Sequence, residues 1–382
     1  MVRSSRRTKI LEICSCFPPS RGGVERFVHS LTSGLARKGY SIKIVTSTRG
    51  MEPKYRRQVN DSVELIRYPE KRYLFEAPFV PRIAVSALTE DYDVLHINGM
   101  VPLISDLAIM FARLRGKPVV LTYHNDAETA TWGTLGTFAA AVYSVIARFF
   151  VSFANVIVCS TRSYAMTSPV IKFFHHKLRV IPLGVDLAKF NAAALKAPEG
   201  PSDGKKRLLF VGQLKQYKGV HVLVDSVAKL RKQGHEVDLG IVGTGPEYTS
   251  IHRRVSELGL HDHVTFKGDV TDEELTALYS QSDLLVLPSL GRREAFGTVI
   301  LEALAAGKPT VTSDTPGVVE VATNVGGFVS KMNDPHDLAS SILTALSNGK
   351  GQDAYRKIAE TYSWQAMVDS YHTLLTSTVD AN

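Results

Sequence analysis

Short, unbroken apolar runs alternate with stretches of helical pattern along the whole chain. "KILEICSC" precedes "GVERFVHSLTSGLARKGY", and "SIKIVTS" follows it. Further on, "DYDVLHI", "PVVLTYH", "NVIVCS" and "LRVIPLG" are continuous in Val, Ile and Leu, as parallel strands covered on both faces are. This alternation predicts βαβ units and an open, doubly wound sheet. Residues 193–207, "AALKAPEGPSDGKKR", break the pattern with Pro, Gly and charges and read as an interdomain linker. A second series then begins: "RLLFVGQL", "VDLGIVG", "HVTFKG", "DLLVLPS" and "KPTVTSD". The expectation is two α/β domains facing a cleft, with ligands beyond the carboxyl ends of the strands. The most apolar window, "LGTFAAAVYSVIARFFVSFANVIVCS", is interrupted by Arg148 and Asn155. A spanning helix needs ~20 apolar residues in succession, so a buried helix followed by a strand is expected there.

A length of 382 residues suits two ordinary domains. With 44% hydrophobic and 21% charged residues the composition is that of a globular protein. The net charge of +8 is not gathered into one stripe, so no nucleic-acid partner is expected. Part of it lies in "MVRSSRRTK", which suits a solvated tail or attraction to an anionic membrane face. Arg26, Arg37, Lys38 and "KFFHHK" at 172–177, with Phe173 and Phe174, are further candidates for peripheral membrane contact. After the basic start only "ILEIC" is apolar, too short for a secretory signal. Cys14, Cys16 and Cys159 form neither a metal pattern nor an even disulfide framework. A reducing cytoplasm, including the inner face of the cell membrane, is the expected location.

Four stretches carry candidate chemistry. In "PPSRGGVERF", Gly22 and Gly23 follow the first strand and open a helix, where backbone approaches a ligand closely and anions are favoured; a tight turn would use the same residues. In "FVGQLKQYKGV", Lys218 lies between strand and helix, placed to meet a phosphate or simply solvated. "VGTGPEY" has Tyr248 where a dinucleotide fingerprint requires its third glycine, and no acidic residue stands convincingly about 20 positions on, which argues against a nicotinamide enzyme. The fourth is "REAFGTVILEALAAGKPTV", residues 293–311, where Glu302 is the single charge between Thr298 and Gly307. A buried carboxylate is costly unless satisfied. Either the helix is half-buried, or a ligand's hydroxyls satisfy Glu302. The amides of Phe296, Gly297 and Thr298 open this helix, ready for a diphosphate. Glu302 would then reach ribose hydroxyls and Glu294 an attached sugar. That spacing suits a nucleotide-sugar.

Over essentially its whole length the chain resembles the family 4 glycosyltransferases of the GT-B fold. The carriers are "GGVERFV", "VLHI", "TYHND", "IPLGVD", "VGQLKQYKG", "IVGTGPE", "VTFKGDVTDEEL" and the E-x7-E motif "EAFGTVILE". The resemblance implies two Rossmann-like domains, an acceptor domain at 1–195 completed by the C-terminal helix 362–382 and a nucleotide-sugar domain at 196–361. It implies a retaining hexosyltransferase with no cofactor and no obligatory metal. Glu294 falls on the family's donor-sugar contact, Glu302 on its ribose contact, and Lys218 on its diphosphate lysine. His124 matches the histidine near the transferred sugar, Gly23 the glycine beside the reacting phosphate, and the segment around Val270 the loop that reads the base. Gly22 falls on the acceptor side. His96 resembles an acceptor-side residue and equally suits a core histidine. Gln213 departs from the pattern, since the family usually places an arginine there. Acceptors in this class are sugars, lipid-linked saccharides or phospholipids, within polysaccharide or glycolipid synthesis. A non-catalytic nucleotide-sugar-binding partner subunit and a nucleotide-sugar epimerase are the competing readings.

Overall fold

Buried on both faces except in the edge strands at Leu178–Val180 and Val264–Gly268, which are partly exposed, the apolar runs form two largely parallel sheets, each in its own unit of the chain. The computed structural model describes residues 7–15, 17–19, 22–48, 55–70, 73–74, 77–126, 133–194 and 204–381. One unit comprises Met1–Pro182 and Trp364–Asn382, the other Leu183–Ser363.

Among the described residues the first unit holds an eight-stranded sheet in the order β10-β9-β8-β7-β1-β2-β4-β3. Its strands are β1 (Lys9–Cys14), β2 (Ser41–Ser47), β3 (Tyr55–Asn60), β4 (Val63–Tyr68), β7 (Val94–Asn98), β8 (Val119–Tyr123), β9 (Val156–Cys159) and β10 (Leu178–Val180). All neighbours are parallel except β3 and β4, and β5 (Tyr73–Leu74) pairs separately with β6 (Ala77–Pro78). Five helices connect them: α1 (Gly23–Arg37), α2 (Pro81–Thr89), α3 (Ile104–Leu114), α4 (Gly133–Val151) and α5 (Arg162–Thr167).

The second unit holds a six-stranded parallel sheet in the order β13-β12-β11-β14-β15-β16. These strands are β11 (Lys206–Val211), β12 (Val237–Val242), β13 (Val264–Gly268), β14 (Leu284–Leu287), β15 (Thr310–Ser313) and β16 (Phe328–Ser330). Around them lie α6 (Leu187–Ala194), α7 (Val220–Lys232), α8 (Tyr248–Glu257), α9 (Asp272–Gln281), α10 (Thr298–Ala305), α11 (Val318–Val325), α12 (Pro335–Asn348) and α13 (Gln352–Glu360). The chain then returns to the first unit as α14 (Trp364–Asp380). Gly34 of α1 makes that return possible, because a Cβ there would sit 2.4 Å from a methyl of Val368. Interiors packed to crystal density do not absorb such an overlap.

Two features differ from the sequence reading. The division of the chain falls at Pro182 and Leu183, upstream of the 195/196 boundary, because α6 belongs to the second core. Phe190 packs on Tyr279 with ring centroids 5.7 Å apart, and Lys189 pairs with Asp272 at 2.9 Å. Most of the 193–207 linker lies outside the described residues. The second difference is α4, expected to be buried. Tyr143, Ala147 and Val151 are buried, but Phe138, Val142, Val145, Ile146 and Phe149 stand exposed on the opposite side. A helix apolar all round is normally buried, yet this one meets the core with one stripe only. Among the described residues no helix is long and apolar enough to cross a membrane.

Candidate functional site

In the second unit two loops meet at the carboxyl ends of β11 and β14. The first runs from β11 through a short turn at Gln216–Lys218 to Gly219, whose φ is 67°. A Cβ on Gly219 would lie 2.0 Å from the Pro288 carbonyl oxygen, so only glycine lets the two loops touch. The Leu290 amide then donates to the Tyr217 carbonyl at 2.6 Å. This contact sets Lys218 against Glu294, Nζ to Oε2 at 2.5 Å, with both side chains 13% exposed. Ser289 Oγ donates to the same carboxylate oxygen at 3.3 Å. Burial works against the Lys218 charge, but the Glu294 carboxylate and Tyr217 together hold the ammonium above its ordinary pKa. Residues 76 apart in sequence thus form one charged, mostly enclosed pair.

The chain continues from Glu294 into α10. Phe296 is buried, and Gly297 takes a φ of 76° where a Cβ would approach Leu287 to 2.8 Å. Thr298 and Val299 occupy the first turn, where amides precede any intrahelical acceptor. Glu302, one turn further, is half-buried and accepts a hydrogen bond at 2.8 Å from the hydroxyl of Tyr279, itself wholly enclosed. Tyr279 therefore satisfies part of the carboxylate that made this helix unusual. Nothing local in "ALYSQ" signals that partnership, which arises when α9 packs beside α10.

Gln213 is exposed in the loop after β11. Val270 packs half-buried against the apolar core, one residue before Thr271 caps α9. The glycines of "VGTGPE" serve the first loop. A Cβ on Gly243 would lie 2.1 Å from the Gly212 carbonyl oxygen, and one on Gly245 would lie 2.5 Å from that of Leu214. Backbone bonds from Leu214 to Thr244 (2.8 Å) and from Glu247 to Leu214 (2.9 Å) complete the contact.

In the first unit a polar line crosses the apolar sheet. The parallel register sets Glu12 of β1 beside His96 of β7, and Asn98 of β7 beside Thr122 of β8. Fully enclosed, the Glu12 carboxylate contacts His96 Nδ1 through Oε2 at 2.8 Å and accepts from Asn98 Nδ2 through Oε1. His96 Nε2 meets Thr122 Oγ1 at 2.8 Å, and Thr122 meets the Tyr371 hydroxyl of α14 at 2.9 Å. Of the two readings open for His96, acceptor-side residue or core histidine, this arrangement favours the core histidine. Its side chain has no exposure, and both ring nitrogens are engaged inside the core.

His124 follows β8 and is half-buried, its ring edge-on to Phe27 at 5.0 Å. Its Nε2 lies 3.3 Å from Asn98 Oδ1. Burial, aided by His96, lowers its pKa to about 4, so the ring is neutral at pH 7. The Asn98 amide nitrogen faces Glu12, which leaves its oxygen toward His124. An oxygen only accepts, so Nε2 carries the proton and the lone pair stands on Nδ1. Gly22 and Gly23 begin α1: a Cβ on Gly22 would run into the Glu25 carboxylate at 2.3 Å, whereas one on Gly23 would meet nothing within 4 Å. Among the described residues no group of three or more His, Cys, Asp or Glu is placed to hold a metal ion.

Comparison with known proteins bears on both units. Residues 21–189 match the model described as Glycosyltransferase Family 4, and residues 192–362 match that of Glycosyl transferases group 1. The O-antigen chain mannosyltransferase C of Escherichia coli is 26% identical over 379 residues, covering 96% of this chain and 97% of that one. The structure of sucrose-phosphate synthase from Thermosynechococcus elongatus superposes with a TM-score of 0.79 at 22% identity, covering 98% of this chain and all of that one. Anabaena HepE, solved in complex with UDP-glucose, gives a TM-score of 0.69 at 19% identity over 97% of this chain and all of that one. With two α/β units in this order and matched models spanning nearly all of both, the chain is a family 4, group 1 glycosyltransferase of the GT-B fold.

Proposed function

We propose that this transferase moves a hexose, with retention, from a nucleotide-diphosphate sugar to an acceptor hydroxyl, in cell-surface polysaccharide or glycolipid synthesis. The observation that carries the reading is the enclosed Lys218–Glu294 pair beside the first turn of α10. A diphosphate is anionic and a sugar presents hydroxyl donors, so the two halves of the pair have complementary partners in one donor molecule. Lys218 and the amides of Phe296, Gly297 and Thr298 would take the phosphates. Glu294 would accept from the sugar hydroxyls and Glu302 from the ribose, with the backbone near Val270 against the base. As the nucleotide leaves, negative charge grows on its phosphate, and donors already aimed there stabilise it without reorganising. On the first unit, the neutral His124 would offer Nδ1 as an acceptor to a sugar hydroxyl, with Gly22 and Gly23 admitting the reacting groups close to backbone. Glu294 positions the sugar rather than forming a bond to it.

The UDP-glucose bound to HepE and the mannosyl transfer named for the E. coli relative support a nucleotide-sugar carrying glucose or mannose. The test is thermal shift against UDP-, GDP- and ADP-sugars, followed by nucleotide release with saccharide and lipid acceptors. Ligand at about a hundred times its Kd stabilises the folded state by about 2.7 kcal/mol. Glu302→Ala should weaken donor binding by about 1–3 kcal/mol, the worth of hydrogen bonds to a charged group. Unchanged affinity in a folded variant removes the ribose assignment. Gln213 favours a second reading, a nucleotide-sugar-binding subunit without turnover. That protein would show the thermal shift and release no nucleotide with any acceptor.

A further inference from the structure

The exposed side of α4 is a hydrophobic surface with a basic border. Phe138, Val145 and Phe149 are 68%, 60% and 56% exposed, and Val142 and Ile146 lie between them on the same stripe. Beyond the helix end Phe153 packs edge-on against Phe149 at 5.1 Å. The turn at Ile171–Lys177 brings up Phe173, 50% exposed, with the Arg148 guanidinium 4.4 Å above its ring and Lys172 Nζ at 5.1 Å. Contiguous apolar surface of this kind marks an interaction site rather than ordinary solvent-facing structure.

Charge identifies the occupant. From Gly133 to Val185 the chain contains no Asp or Glu, while Arg148, Arg162, Lys172, Lys177 and Arg179 all fall in that span. A second copy docking through the same face would bring like charges together, which interfaces avoid. An anionic surface would gain from Arg148 and Lys172, the two cations that border the apolar stripe. We propose that α4, with Phe153 and Phe173 beside it, seats the first unit in the interface of an anionic lipid bilayer. The helix lies along the membrane plane with its aromatic and aliphatic side chains below the headgroups. Arg148 and Lys172 hold their charged heads over the Phe173 ring, at the border of the apolar stripe where lipid phosphates would lie. The sequence had singled out "KFFHHK", which holds Lys172 and Phe173, for membrane contact, together with cations elsewhere. Of those cations Lys38 is paired with Asp369 at 2.6 Å, and the first six residues lie outside the described ones.

The experiment is co-sedimentation of the full chain with vesicles of phosphatidylcholine alone or mixed with phosphatidylglycerol, at about 0.1 M and 1 M salt. The wild type should partition onto the anionic vesicles at low salt. High salt should weaken it, because the Debye length falls from about 10 Å to about 3 Å. Val145→Glu/Phe149→Glu should reduce partitioning about tenfold or more, through lost insertion and repulsion from lipid phosphates. Val145→Ser/Phe149→Ser, which adds no charge, should give a smaller loss in the same direction, and Lys172→Ala should reduce only the salt-sensitive part. Circular dichroism confirms that each variant is folded. Equal partitioning of wild type and both double variants overturns the proposal, as does absence of preference for anionic vesicles. A wild-type dimer that the glutamate variant converts to monomer, without vesicle binding by either, assigns the face to self-association and also overturns it. Donor thermal shift is measured without lipid, so failure here leaves the nucleotide-sugar reading untouched.

Discussion

Replacing Glu12 by Gln tests whether the buried polar line of the first unit sets the state of His124. The carboxylate has two acceptor oxygens, one for His96 Nδ1 at 2.8 Å and one for Asn98 Nδ2. Glutamine keeps one acceptor and brings an amide donor of the same size. Glutamine carries no charge, so whichever way it turns charge assistance is lost from these bonds, in a place with no solvent exposure to replace it. That loss is worth about 1.5–3 kcal/mol. For a unit of this size each kcal/mol moves the melting point by about 2–4 °C, so a fall of roughly 3–12 °C is expected. Tryptophan fluorescence follows the right unit, because positions 132 and 364, the chain's two tryptophans, both fall in its sequence. The second readout is the imidazole 15N spectrum. In the wild type His124 should be neutral at pH 7 with the proton on Nε2. If the glutamine nitrogen faces Asn98, the Asn98 amide must turn, and His124 then shifts its proton to Nδ1. Two results refute the reasoning: a stability change within about 0.5 kcal/mol, the range of inconsequential surface substitutions, or a wild-type His124 protonated on Nδ1.

Further expectations concern individual groups. His124 has a pKa lowered from 6.5 to about 4 in the fold, so the unfolded chain binds the extra proton first. Its contribution to stability is complete above pH 6.5 and lost as pH falls toward 4, by up to about 3 kcal/mol; a pH series of urea unfolding should be flatter in this window for His124→Gln. Gly219→Ala places a Cβ 2.0 Å from the Pro288 oxygen at a φ of 67°. It should cost more than the ~1–2 kcal/mol of left-handed backbone alone and abolish the donor-induced thermal shift, whereas an unchanged shift would detach Lys218 from the donor. Gln213→Arg adds a charged donor, and charge-assisted bonds are roughly twice as strong as neutral ones. It should raise the transfer rate or lower the KM for donor; lost activity in a folded protein would mean that glutamine belongs to a rearranged phosphate site.

Local pattern determined a great deal here. Continuous Val, Ile and Leu runs separated by helical stretches are enough to predict two doubly wound sheets, since a strand buried on both faces has nowhere to place polar residues. The glycine and glutamate spacing of "EAFGTVILE" is likewise legible, because a left-handed residue, a helix start and a carboxylate one turn in are neighbours along the backbone. What the pattern left open was set by partners far apart in sequence. The depth of α4 was invisible because a helix apolar all round looks the same whether one face or both are covered. Only packing against neighbours such as α3, where Tyr143 reaches Asp106, decides that Phe149 faces out and Ala147 in. His96 sat between two readings until the parallel register put Glu12 beside it, 84 residues away, and enclosed both. Tyr279 against Glu302 and Lys218 against Glu294 belong to the same class of fact. Single residues announced their chemistry, but their pairing waited on the fold, because a parallel sheet joins strands through long crossovers whose register no local spacing encodes.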